Sequence, residues 1–355
     1  MSSRKIRLII NIVTIVALIV LLVVSWPQIQ EGIKQMRGAK YSIIALMIPL
    51  QVLNFFAIGK LYQSYFKNQG YLLSTKLMLK VALELNFVNN IFPSGGVAGF
   101  SYIGVRMRKQ GIPVATTTLA QGMRFILTFI SFLILLFLGM FLLSFGSGTS
   151  GGGLALFIGL SIAFLTLFMT LFVFFIVSSD KRIKTFTAFL PKVLNSLFNK
   201  FNHKTNTINV SKIERLFGEL HKDYVVISKD WGRLKKPFAW ALVINLSEVA
   251  TVYLAYIAIG QLVNPGAVIL AYAVASFAGL IAIFPGGIGV YEALMTAVLA
   301  SAGVPKALAL SATLIYRIFT MMIFIPIGFV LYQLALRRGD VERPNYEPAD
   351  GLIAN

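Results

Sequence analysis

Five ionisable side chains stand inside apolar runs of this chain: Glu84, Arg124, Glu248, Glu292 and Arg317. An Arg or Asp at the centre of a membrane helix costs roughly 2.5–3.5 kcal/mol on insertion scales, and Glu should behave similarly. Such residues usually face a bundle interior or a water-filled cavity. Two guanidinium forks there can hold phosphate oxygens in paired hydrogen bonds. Three carboxylates can balance those charges, carry protons or meet a cationic headgroup. The competing reading is Glu–Arg pairs that only lock helices together, which says little about stability gained. Residue counting sets the depths. Arg124 follows Pro113 by 11 residues, about 16 Å of helix, and Glu248 follows Pro237 by the same count. Arg317 follows Pro305 by 12, about 18 Å.

Other chemistries are excluded by composition. The chain has no cysteine, so disulfides, thiolate catalysis and Cys-ligated metals are out. Its two histidines, His203 and His221, sit in a polar stretch, and no metal site is expected. No GxxxxGK[ST] occurs, and Gly286-Gly287-Ile288-Gly289 lacks the βαβ context of a dinucleotide fingerprint. No Ser/His/Asp set supports catalysis. The reading is therefore not an enzyme, with no cofactor.

These residues need elements to hold them at mid-membrane. The 355 residues are 57% apolar and only 13% charged, with mean hydropathy +0.80. Ordinary soluble domains carry about 25% charge. Several windows run about 20 residues without a charge, long enough to span a bilayer. Formal net charge is +19. Nucleic acid is not the expected partner, because the charges sort by side. Arg4, Lys5 and Arg7 precede an uncleaved first span, Leu8 to Trp26. Threading from a cytoplasmic N-terminus puts 26 Lys/Arg inside and four outside, with Arg124 and Arg317 within spans. Both termini are then cytoplasmic, in an inner membrane.

Two stretches match without gaps at an offset of 192. Phe92-Pro93 matches Phe284-Pro285, Gly95 matches Gly287, Gly111-Ile112-Pro113 matches Gly303-Val304-Pro305, and Ala115 matches Ala307. Arg124 falls one position from the equivalent of Arg317. Three net crossings separate the copies, so the second is expected to be inverted, a transporter signature. The segments 77–91 and 94–109 are about 23 Å each, short of the roughly 30 Å hydrocarbon core. They read as a re-entrant hairpin, as does 266–302. Pro93 and Pro285 are the hinges. The helices after Gly95-Gly96 and Gly286-Gly287 point free N–H groups inward, which favours anions. Asn86, Asn89, Asn90 and Ser94 either satisfy the broken backbone or touch ligand.

The expected architecture is an all-α polytopic helical bundle. Residues 1–40 form an N-terminal span and outer loop, and 41–145 the first repeat with its hairpin at 77–109. A connecting span covers 146–177. Residues 178–236 are cytoplasmic, with 13 Lys/Arg and 5 Asp/Glu. There Phe186, Phe189, Leu190, Val193, Leu197 and Phe201 follow helical spacing, as a membrane-surface helix or a cap would. The second repeat is 237–336 with its hairpin at 266–302, and 337–355 is a short cytoplasmic tail.

Phe-Pro-Ser-Gly-Gly and Phe-Pro-Gly-Gly-Ile-Gly-Val-Tyr-Glu, each followed by Gly-x-Pro-x-Ala and a span with a midplane Arg, carry a resemblance. The chain resembles the lysylphosphatidylglycerol synthase transmembrane-region family over roughly residues 5–335. This is the flippase-like membrane domain of the multiple peptide resistance factor, also found in stand-alone proteins. The resemblance implies translocation of a lipid. It points to Pro93, Gly95, Arg124, Pro285, Gly287, Glu292 and Arg317 as site positions. The chain ends at Asn355, so the family's soluble synthase domain, and with it aminoacyl transfer, is not expected. The expected cargo is a phosphate-bearing lipid, such as aminoacylated phosphatidylglycerol or a polyprenyl-phosphate lipid. The alternative is a lipid-binding partner of a separate lipid synthase or glycosyltransferase, using 178–236.

Overall fold

The computed structural model describes residues 3–91, 97–144, 152–179, 181–189, 218, 230–281 and 287–341. Among them there is no strand. The helices are α1 (Ser3–Met36), α2 (Tyr41–Asn68), α3 (Thr75–Ile91), α4 (Val97–Met107), α5 (Val114–Ser144) and α6 (Gly152–Val177). After a short helical stretch at 181–189 come α7 (Lys235–Ala258), α8 (Pro265–Ile281), α9 (Val290–Ser301) and α10 (Lys306–Ile318). A π-helical turn, Phe319–Ile323, joins α10 to α11 (Phe324–Arg337). This is an all-α polytopic membrane protein. Among the described residues, four helical rods are long and apolar enough to cross a bilayer: Tyr41–Asn68, Thr116–Ser144, Gly232–Ala258 and Lys306–Arg337.

The other elements around the centre are shorter. Helices α3 and α8 have 17 residues each, about 26 Å, and α4 and α9 have 11 and 12, about 17 Å. The Gly-x-Pro signals end one helix and start the next. Gly111 and Gly303 take φ of +70° and +88°, which glycine adopts without strain. Pro113 and Pro305 then stand immediately before α5 and α10, where a missing N–H costs nothing.

Packing crosses between the halves. α2 lies along α7, α3 packs on α11, and α8 packs on α5. Neutral side chains join α2 to α7 inside the apolar bundle. Asn54 Nδ2 donates to the Ile244 carbonyl (3.0 Å) and to Ser247 Oγ (3.1 Å), and Gln51 Nε2 donates to Thr251 Oγ1 (3.1 Å). Such bonds contribute because lipid offers a freed amide no partner.

Glycine brings the exchanged helices together. A Cβ on Gly328 of α11 would collide with the Leu83 carbonyl of α3. One on Gly266 of α8 would collide with the Gly139 carbonyl of α5. Backbone cannot step aside as a flexible side chain can, so Gly328→Ala should destabilise by about 1–3 kcal/mol. Gly38→Ala, where a Cβ meets nothing within 4 Å, is the silent control. Thermal unfolding in detergent reads both, and equal effects would mean that α3 and α11 separate freely.

Contacts at the bundle ends join residues that the charge threading puts on a common side. Lys109 Nζ reaches the Arg338 carbonyl (3.2 Å), and Asn68 Nδ2 reaches the Arg233 carbonyl (2.8 Å). At the other end Lys40 N–H donates to the Ala258 carbonyl (2.7 Å). Of the basic segment 178–236, the stretch 181–189 folds back on α6. Ile183 is buried there, and Phe186 meets Phe172 edge-on at 5.9 Å. Leu190, Val193, Leu197 and Phe201 lie outside the described residues.

Candidate functional site: a charged cavity between the two halves

A cavity of about 310 Å³ lies where α2, α3, α5, α7, α8 and α10 meet. Arg124, Arg317, Glu248 and Asn90 all line it. Counting depth from the prolines thus brought together three charges from three helices.

The two arginines are held differently. Arg317 Nε donates to Glu292 Oε1 at 2.7 Å, in a pair whose side chains are 11% and 5% exposed. The other oxygen, Glu292 Oε2, accepts from the Gly289 N–H at 2.7 Å. Glu292 therefore closes the first turn of α9 and anchors Arg317 to it. Gly287 and Gly289, with φ of +65° and +86°, make the approach to that turn. The Tyr291 ring lies under the Arg317 guanidinium at 4.9 Å.

Arg124 has no such partner. Among the described residues no carboxylate oxygen comes within 4.0 Å of it. Its Nη1 donates to Tyr62 Oη (3.2 Å), and Tyr62 in turn donates to Gln121 Oε1. The guanidinium also stands over the rings of Tyr62 (5.9 Å) and Phe125 (5.6 Å). The offset of 192 explains the contrast, because Phe100 occupies the position that matches Glu292. Phe100 stacks on Phe125 at 5.7 Å, so the first copy has a ring where the second has a carboxylate.

Glu248 is the cavity's carboxylate without a cation. Its Oε2 accepts from Tyr316 Oη (2.7 Å) and from Gln51 Nε2 (3.3 Å). Among the described residues no Lys or Arg nitrogen lies within 4.0 Å of it. Asn90 Nδ2 donates to the carbonyl and Oδ1 of Asn86 (2.8 and 3.0 Å). Asn86 Nδ2 and Asn89 Oδ1 are buried without partners.

Glu84 belongs elsewhere. The sequence reading placed it near the midplane with the others, but it faces away from the cavity. It accepts from Arg106 Nε (2.9 Å) and Tyr102 Oη (2.7 Å), and Arg106 also reaches Asp340 (3.6 Å). This ties α3, α4 and the end of α11 together. Glu84→Gln should destabilise by about 3 kcal/mol, the low end for a broken buried pair, because Asp340 still faces Arg106. Lipid binding per folded molecule should not change. A loss of binding at full stability would return Glu84 to the site.

Pro93, Ser94, Gly95, Gly96, Pro285 and Gly286 lie outside the described residues. Gly287 is buried beside α9 and does not line the cavity. Gln51, Asn54 and Asn245 do line it, and the sequence reading missed them. Their signal was present. Gln51/Asn54 and Asn245/Glu248 are both polar pairs three residues apart in apolar spans, a spacing that puts each pair on one helix face.

A second hollow of about 260 Å³ adjoins the first and shares Arg124, Thr128, Asn245 and Tyr272 with it. Its own walls are Phe125, Phe129, Phe132 and Ser276.

The fold and cavity define a polytopic membrane protein with an interior site lined by ionisable groups of both signs, of which Arg124 and Glu248 have no salt-bridge partner within 4.0 Å among the described residues. The chain belongs to the family described as the lysylphosphatidylglycerol synthase TM region, which it matches over residues 8–328. It is similar to the UPF0104 membrane protein PH1989 of Pyrococcus horikoshii, with 21% identity over 322 residues, covering 88% of this chain and 93% of that one. No solved structure matches it.

Proposed function

We propose that this protein is a membrane lipid translocase that carries a phosphate-bearing lipid between leaflets, with Arg124 binding the phosphate. The observation behind this reading is a guanidinium that lines a mid-bundle cavity with, among the described residues, no carboxylate oxygen within 4.0 Å. An unpaired charge in such a place is costly unless an opposite charge arrives. A phosphate offers a guanidinium two oxygens in matching geometry. Arg317 adds positive field from the cavity wall while Glu292 holds it in place. Glu248 supplies a carboxylate for a proton or a cationic headgroup. Membership of the family supports a lipid-related role.

The transport reading makes α2–α5 and α7–α11 inverted repeats, with α3/α4 and α8/α9 as re-entrant hairpins. The short lengths of these four helices and the exchanged packing of α3 and α8 support it. The protein sits in the cytoplasmic membrane with both termini inside, and catalyses no bond-making step.

Vesicles with fluorescent phosphatidylglycerol in both leaflets test this directly. Dithionite bleaches the outer half in protein-free vesicles and should bleach nearly all the label once the protein is present. If the purified protein retains lipid yet bleaching stops at half, translocation is wrong. The basic segment 178–236 would then favour a non-transporting partner that presents lipid to a synthase or glycosyltransferase.

A further inference from the structure

The charged cavity holds one group that can change its charge. Glu248 lines it from α7. Its Oε2 takes both hydrogen bonds, from Tyr316 Oη and Gln51 Nε2, and Oε1 takes none from a described residue. The titratable and charged groups around it come from four elements. They are Tyr316 and Arg317 of α10, Tyr272 of α8, Arg124 of α5, and from α9 Tyr291, which stacks on Tyr316 at 6.2 Å, and Glu292, which pairs with Arg317. Helices α2 and α3 line the cavity with uncharged residues only. Guanidiniums stay charged, and ordinary phenols keep their protons, over the range where carboxyls titrate. Among the described lining residues, Glu248 is therefore the one whose charge can switch.

We infer, on the headgroup reading above, that Glu248 is a proton site coupled to the anion site: it takes up one proton when a phosphodiester reaches Arg124. Charge balance drives the step, in a place that water screens poorly. Before the anion enters, Glu292 balances Arg317, and the Glu248 carboxylate balances Arg124 across the cavity. A phosphodiester brings one negative charge, offsets Arg124 and leaves the carboxylate unbalanced. A carboxylate held out of water is far costlier than a neutral carboxylic acid. A solvent or buffer acid therefore gives up a proton, and a new O–H bond forms on Oε1 of Glu248. Tyr316 and Gln51 keep donating to Oε2 in both states. Linkage makes the effect mutual, so the proton tightens the hold on the anion as much as the anion tightens the hold on the proton. Anion and proton together restore the balance of the empty cavity, so they cross as a neutral unit.

Calorimetric titration of the full-length protein with short-chain phosphatidylglycerol tests this, in pairs of buffers that differ in heat of ionisation, from about pH 5 to 9. The probe's phosphodiester keeps a single charge throughout, so any proton exchanged belongs to the protein. Wild type should take up as much as about one proton per lipid bound. Its affinity should be level at low pH, where Glu248 is already protonated, and then fall as pH rises by up to about tenfold per unit. Glu248→Gln imitates the protonated acid. It should take up no proton and hold the low-pH affinity at every pH. The wild-type proton count stands by itself if that variant does not fold. No uptake by wild type, with binding still dependent on Arg124, would overturn the proton site and leave the headgroup reading standing. Equal uptake by wild type and Glu248→Gln would place the proton elsewhere and overturn it too. Weaker binding by Glu248→Gln at every pH would make Glu248 a direct headgroup contact instead. Binding indifferent both to Arg124→Gln and to pH would overturn the proton site and the headgroup reading together.

Discussion

Arg124→Gln is expected to weaken binding of a phosphate-bearing lipid roughly ten- to hundredfold, the range that loss of hydrogen bonds to a charged group gives. Stability should stay almost unchanged. No carboxylate is orphaned by the change, and Tyr62 keeps its bond to Gln121. Arg124→Lys should recover part of the affinity, because it restores the charge without the planar fork. Lipid titration by native mass spectrometry, run beside thermal unfolding, separates the two effects. Undiminished affinity in the glutamine variant would end the assignment of Arg124 to phosphate.

Glu292 should give the opposite pattern. Glu292→Ala leaves the Arg317 guanidinium buried without its counter-charge and removes the acceptor for the Gly289 N–H. Breaking a buried pair from one side costs about 3–5 kcal/mol. The double variant Glu292→Gln/Arg317→Met carries no orphaned charge and can still cap the turn, so it should recover most of that loss. Thermal unfolding decides. If the double variant is no more stable than the single, the cost lies in packing around α9 and the ion pair is incidental. Two arginines one position apart in the register of the two copies would thus differ in role because one copy has Glu292 where the other has Phe100.

Much of this was legible in the sequence. Long apolar runs define the spanning rods, and Gly-x-Pro marks the starts of α5 and α10. Counting from those prolines gave the depth of Arg124 and Arg317, counting from Pro237 gave that of Glu248, and the cavity gathers all three. Depth says nothing about helix face, which is why Glu84 was misplaced. Its face on α3 turns to Arg106, a residue counted with the surface cluster although it is 4% exposed. The amides of α2 were missed for another reason. A neutral Gln51 or Asn54 barely lowers the apolarity of its span, yet a buried amide needs a partner as surely as a charge does. The π turn was not legible, since Phe319-Thr320-Met321-Met322-Ile323 is an ordinary apolar run.

That turn has a consequence for how the chain tolerates change in length. A π turn inside an α-helix holds one residue more than the α form needs. Elsewhere in the rod from Lys306 to Arg337, deleting a residue would swing everything beyond it by about 100°. It would turn either Arg317 off the cavity or Phe324 out of the core. A deletion within 319–323 would instead let the rod relax to plain α-helix, with both flanking faces kept. Relatives that differ by one residue in this rod should differ there, directly beside the arginine they must keep in place.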